Sequence, residues 1–323
     1  MTLKMLACSC AALLAGAAQS AAAQTYPMKP IRVIIAQAPG SATDVVTRTL
    51  GSRLQASLGQ PLVVDARPGA GGTLGTDVAA KAPPDGYNLF MANNSTHGAN
   101  PALYSRLPYD AVRDFAPIIF VASTPYVLSV HPSVPVTTVK QLIAFAKARP
   151  GQINYASAGN GSTHHLSGEL LKSMAGIDIV HVPYKGTGPA LTGLLSGEVS
   201  ITFATVTSIQ PHLKSGRAKA LAVTTPQPSP MLPGVPTISA SGLPGFEMLS
   251  WFGLLAPAAT PPAIVTQLNA EVAKVLALPE IKSALGAQGL ETRGGTPAQF
   301  GDYIKSEIAK ISKIAKTAGV RAD

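Results

Sequence analysis

Two stretches of this chain put chemically able side chains at the start of a helix. In the first, the apolar run Ile31 to Ala36 is ended by the turn pair Pro39-Gly40, and Ser41, Thr43 and Asp44 follow at once. Ser41 or Thr43 suits a helix N-cap, and Asp44 falls in the first turn. In the second, Ile153 to Ala156 runs into Ser157-Ala158-Gly159-Asn160-Gly161-Ser162-Thr163 and a helix from His164 to Met174. Each arrangement leaves main-chain N–H groups unpaired at a helix start, where the helix dipole adds partial positive charge. That is a seat for an anion. Taken singly, either stretch serves equally well as an ordinary βα turn. Two of them facing across a cleft would grip an anion from both sides.

Ser162, His164 and His165 also raise the question of hydrolysis. The G-x-S-x-G elbow is absent around Ser162, and adjacent helix residues point about 100° apart, so no base is set against the nucleophile. His165 and Glu169, four residues apart, could share a metal ion on one helix face, but no third ligand stands at a matching spacing. The glycines at 69, 71, 72 and 75 do not form G-x-G-x-x-G, and no acid ends a following strand. They read instead as places where main chain packs closely or approaches a ligand. The polar loop Asn93 to Gly98 contains Asn94, Ser95 and His97, the last suited to a main-chain bond or a ligand. No enzyme, cofactor or metal is expected from these residues.

The elements that position them follow from periodicity and punctuation. Val45, Val46, Leu50, Leu54 and Leu58 are spaced as the buried face of a helix. Short apolar runs predict strands at residues 62–64, 87–92, 115–122, 126–131, 153–156, 179–182, 199–203, 218–224 and 248–256. The break between the strands at 115–122 and 126–131 is Ser123-Thr124-Pro125. Helices are predicted between most strands and at residues 262–276, 279–286 and 297–316, after a proline-studded crossing from Pro226 to Pro236. The βα alternation argues an α/β architecture with largely parallel sheets, whose ligands sit beyond the strand C-termini. Pro183-Tyr184-Lys185-Gly186 and Ala204-Thr205 are two further strand-end loops of that kind.

Composition narrows the class. Lys4, the apolar run Met5 to Ala17 and Ala21-Ala22-Ala23 read as a secretory signal over residues 1–23, too short for a membrane span. Cys8 and Cys10, the two cysteines, lie in that segment, so the mature chain is expected to form no disulfide, thiol nucleophile or cysteine-bound metal site. The formal charge of +9 is scattered rather than clustered along one face with aromatics, which argues against nucleic acid. A diffuse positive field instead gathers small anions.

The stretches Tyr26 to Arg32, Ala38 to Asp44, Arg67 to Gly72, Ala82 to Tyr87, Leu107 to Asp110, Asn154 to Ser162, His181 to Gly186 and Ser250 to Gly253 together resemble the Bug receptors. These are the extracytoplasmic solute-binding proteins of tripartite tricarboxylate transporters. The resemblance implies a two-lobed, type II-like periplasmic binding protein that closes on its ligand. Lobe 1 would comprise residues 24–124 plus 226–323, and lobe 2 residues 125–225. It implies a monomer that binds a small carboxylate between the lobes and delivers it to the membrane subunits. A sensor that signals to a membrane histidine kinase is the alternative, since both roles begin with ligand binding.

By the same resemblance the ligand is held by the first loop (Ala38, Gly40, Ser41, Ala42, Thr43, Asp44) and by Ala158, Gly159, Asn160, Gly161 and Ser162. With the other strand-end loops, the expected site adds Asn94, Ser95, His165, Lys185, Gly186, Ala204 and Thr205. Two departures stand out. Where the family usually has Pro-Gly-Gly-Gly-Thr-Asp, Ser41 and Ala42 carry a Cβ, so a positive φ there would cost energy. Where it often has Asp-Asn, this chain has Ala204-Thr205. Gly161 is expected to tolerate no bulky residue, through its approach to ligand rather than through stability.

Overall fold

The computed structural model describes residues 26–321, and the signal expected over residues 1–23 lies outside them. The chain begins as a parallel βαβαβ unit: β1 (Ile31–Ile35), α1 (Ala42–Leu58), β2 (Leu62–Ala66), α2 (Thr73–Ala80) and β3 (Asn88–Asn93), with β1 pairing both β2 and β3. α1 forms because Ser41 caps it and because Val46, Leu50, Leu54 and Leu58 bury one stripe. It stops at Gly59, in the left-handed conformation that glycine adopts without strain. The glycine-rich loop after β2 is packed tightly, as its composition suggested. A Cβ on Gly75 would stand 2.6 Å from the Arg67 carbonyl oxygen and 2.8 Å from the Ala36 Cα.

After a one-turn helix, α3 (Asn100–Leu103), comes β4 (Phe115–Val130). The two strands expected on either side of Ser123-Thr124-Pro125 are one continuous strand. Its first part pairs antiparallel with β9 (Leu249–Pro257) as far as Pro125 opposite Leu249. Its last part pairs with β7 (Ile201–Thr205), starting at Tyr126 opposite Thr205, and with β8 (Lys219–Val223). Pro125 has no N–H to donate, and it falls where the strand changes partner. The local sequence reads as a turn, but the partners on both sides keep the backbone extended.

A second parallel set follows, with β5 (Ile153–Ser157) between β6 (Ile179–Pro183) and β7. Its helices are α4 (Val139–Lys147), α5 (Thr163–Ala175), α6 (Thr187–Ser196) and α7 (Val206–Lys214). The sheet order is β2-β1-β3-β9-β4-β7-β5-β6, with β8 and β10 (Glu291–Gly294) on β4. The sheet is therefore less parallel than expected: two parallel trios are joined through antiparallel β9 and β4. The chain ends with α8 (Pro262–Ala277), α9 (Pro279–Ala287), β10 and α10 (Pro297–Ala318).

α10 belongs to both cores. Phe300 and Ile304 pack with Phe90, Phe115 and Trp251, whereas Ile311, Ile314 and Ala315 pack with Leu166, Tyr155 and Leu103. Among the described residues, no helix is long and apolar enough to cross a membrane.

Candidate functional site

Both glycine–serine turns form capped helix starts of the same geometry. Ser41 (φ −67°, ψ 162°) accepts from the Asp44 N–H, and Ser162 (φ −66°, ψ 156°) accepts from the His165 N–H. The glycine before each cap is left-handed, with φ of 81° at Gly40 and 73° at Gly161. Positive φ thus falls on Gly40, and the Cβ atoms of Ser41 and Ala42 sit in ordinary backbone without the cost anticipated for them. In each turn the glycine N–H donates to the side chain four residues on: Gly40 to Asp44 Oδ2 at 2.9 Å, Gly161 to His165 Nδ1 at 3.1 Å. Among the described residues, none accepts from the N–H groups of Ala42 and Thr43 or of Thr163 and His164. These are the donors each start presents.

Asp44 is committed to the turn. Burial pushes its carboxyl up, but the Arg48 guanidinium at 2.8 Å and the Gly40 N–H outweigh that and hold it below the usual range. His165 is likewise buried, its ring parallel to His181 with centroids 3.9 Å apart. Glu169, once a conceivable metal partner of His165, accepts from the Tyr155 hydroxyl at 2.6 Å and from Lys172 at 3.0 Å.

The end of β3 ties the two starts together. Asn93 Nδ2 donates to Thr43 Oγ1 at 3.2 Å, and Asn94 Nδ2 donates to Thr163 Oγ1. Asn94 Oδ1 accepts from Ser250 Oγ at 3.3 Å. Two consecutive asparagines therefore each hold one helix start. Asn93, Thr163 and Ser250 were missed by sequence reasoning, because their partners lie 50 to 156 positions away.

A cleft of about 300 Å³ lies beside the first start, lined by Gly40, Ala42 and Val45, by Thr124 and Tyr126 of β4, by Thr205 and Thr207, by Ser250 and Phe252, and by Gln288 and Leu290; Gly159, Gly161, Ser162 and His165, expected across it, do not line it. None of these side chains is charged. Burial pushes the Tyr126 phenol up despite hydrogen bonds with the Thr163 and Ser250 hydroxyls. Its ring meets His164 edge-on at 4.9 Å, and burial holds His164 neutral with a pKa of about 4.

The other expected residues are dispersed. Gly40, Ala42 and Thr205 line the cleft, and Thr43 and Asn94 brace it. Ala204 packs with Val127 and Val206 and lines a gap of about 10 Å³ beside His164 and Thr187. Ser157 Oγ bonds the N–H and the carbonyl of Gly159. Ala38, Ser95, Asn160 and Lys185 are exposed, while Ala158 and Gly186 are half-buried; none of the six lines the cleft. His97 is in neither of the roles its loop suggested. The loop is a π-turn (Ser95–Ala99), and the His97 ring is fully buried against Phe90, Phe115 and Tyr109, which holds its pKa down to about 3.

Two parallel trios, matched helix starts and an uncharged cleft define a two-lobed solute-binding protein. Residues 46–320 match the tripartite tricarboxylate transporter family receptor. Protein BugT of Bordetella pertussis is 37% identical over 308 residues, which cover 95% of this chain and 94% of its own length. The structure of R. palustris Rpa4515 with adipate is 39% identical, with a TM-score of 0.75 over 92% of this chain and 99% of that one. The structure of MatC from Rhodopseudomonas palustris with bound malate is 32% identical, with a TM-score of 0.71 over 90% and 99% of the two chains. This chain belongs to that receptor family, the Bug solute-binding proteins, and is a binding protein rather than an enzyme.

Proposed function

We propose that this protein captures a small organic carboxylate outside the cytoplasm for the membrane subunits of a tripartite tricarboxylate transporter. The observation that carries this reading is the pair of matched helix starts, each with two N–H groups that no protein atom uses among the described residues. Charge-assisted hydrogen bonds contribute roughly 1.5–3 kcal/mol each, so three or four, offset by association costs, suit a dissociation constant on the order of micromolar. The halves divide near residues 124/125 and 225/226; the change of strand partner at Pro125 supports the first division only.

The cleft walls also bear on ligand type. Asp44 is occupied by Arg48 and Gly40, and the lining residues include no acid to receive an ammonium. Carboxylates whose far end is neutral, apolar or a second acid fit better than zwitterionic amino acids. Calorimetry with adipate, malate, benzoate and an amino-acid set tests this, followed by product analysis. A one-to-one complex with a carboxylate recovered intact is expected; consumption of the compound, or clear preference for an amino acid, overturns it.

A further inference from the structure

We infer that His165 is a positioning residue that makes the second half of the anion seat proton-dependent: its neutral ring holds the Gly161 turn in place, and a proton on Nδ1 releases it. The inference rests on the ligand reading given above. Gly161 N–H donates to Nδ1 at 3.1 Å, which requires a lone pair there and places the ring proton on Nε2. Nε2 faces Glu169 Oε1 at 4.0 Å.

The other end of the same turn hangs from the neighbouring ring. His181 lies parallel to His165 at 3.9 Å, its Nε2 is 2.6 Å from Ser157 Oγ, and that oxygen accepts from the Gly159 N–H at 3.1 Å. Two stacked imidazoles therefore brace both glycines of the turn.

The groups facing His165 are few. On α5 they are Glu169 and Lys172, on β6 His181, and on β5 Tyr155, whose ring is 6.4 Å away and whose hydroxyl is on Glu169. Burial and Lys172 resist protonation while Glu169 favours it, so the change falls on the acid side of an ordinary histidine. Once charged, the ring offers Gly161 an N–H instead of a lone pair, stands against a second imidazole, and is drawn to Glu169.

The first half has the same turn but no such control. Its acceptor is Asp44, held ionised by Arg48, so the Gly40 bond persists through neutral and mildly acid pH. An opposite outcome is also physical: an imidazolium beneath the turn could attract the anion and tighten binding in acid.

The experiment measures adipate affinity by calorimetry between about pH 7.5 and pH 5 for the protein, His165→Asn and His165→Leu. The His165→Asn variant copies the first half of the seat, since its amide oxygen can accept from Gly161 as the Asp44 carboxylate does from Gly40, and it does not titrate. Relative to His165→Asn, which cancels the titration of adipate itself, the natural protein should lose about threefold or more in affinity by the acid end. His165→Leu should bind about tenfold more weakly throughout. Parallel profiles for the natural protein and His165→Asn, or tighter binding in acid, overturn the inference. If adipate and malate both fail to bind at neutral pH, the ligand reading fails separately. NMR then decides the switch alone: the Gly161 amide and the His165 ring nitrogens must titrate with one midpoint, and independent titration overturns it.

Discussion

Gly40 and Gly161 offer a controlled comparison, because the two turns share backbone geometry and differ in what surrounds them. Alanine at either must adopt a left-handed conformation, φ 81° or 73°, which costs about 1–2 kcal/mol and is offset by about 0.4–1 kcal/mol from a less mobile unfolded chain. At Gly40 a new Cβ meets nothing within 4 Å, so the net cost should be about 1 kcal/mol. At Gly161 the Cβ stands 3.0 Å from Leu103 Cδ1, and Leu103 is itself buried in the core shared with α10. Crowding there adds roughly another 1 kcal/mol, for a total of about 2 kcal/mol. Urea denaturation without ligand measures both, and a protein of this size should shift by about 1.5–2 °C per kcal/mol in melting temperature. Leu103→Ala should remove the difference between the two variants. Equal costs at the two positions, or a neutral Gly161→Ala, would refute the steric reasoning. The expectation that Gly161 matters only for binding is thus revised: φ and Leu103 make it matter for stability as well.

Three other outcomes are expected. Stability without ligand should fall in acid, because His97 and His164 have folded pKa values of about 3 and about 4, below the unfolded 6.5. Their contribution is complete above that unfolded value and is lost as pH falls toward the folded ones, at up to about 1.4 kcal/mol per pH unit each, and urea midpoints that do not move would contradict it. Ala204→Asp should lower the melting temperature, by about 2–4 kcal/mol of buried, unpartnered carboxyl, more than it alters ligand choice, because Ala204 is 5% exposed; a fully stable variant with altered selectivity would show that the position faces ligand. Asn94→Ala should cost about 1–3 kcal/mol and be strongly non-additive with Thr163→Val, and simple additivity in a double-mutant cycle would break the proposed link between the helix starts.

The parts of the fold that announced themselves were local. Leu50, Leu54 and Leu58 recur at helical spacing, and Gly-Ser before each helix start is a capping signature that needs no distant partner. What stayed hidden depended on pairing across the chain. Ser123-Thr124-Pro125 reads as a turn, yet β9 on one side and β7 on the other keep it extended. β10 is Glu291-Thr292-Arg293-Gly294, with no apolar signal at all, and exists because β4 offers it an edge. The candidate site follows the same division. Its two helix starts were legible, whereas Asn93, Thr163, Ser250 and Tyr126 reach it through contacts that no spacing encodes. The parallel between Asp44 and His165, one acid and one imidazole in the same role four residues after a glycine, became visible only with the hydrogen bonds. Lys185 shows the converse: a cation in a plausible loop, exposed and away from the cleft.

Thr124 and Tyr126 are two apart on β4, so both side chains stand on the face that forms the cleft floor. The residue between them is the one at which the strand leaves one half of the sheet for the other. Whatever rests in the cleft therefore rests on the junction of the two halves. α10 spans the same junction, with Phe300 and Ile304 in one core and Ile311, Ile314 and Ala315 in the other, so β4 is not the sole tie between the halves. Recognition and the joining of the halves then cannot be adjusted separately at this point: replacing Tyr126 to suit a bulkier ligand also changes the packing where the strand changes partner.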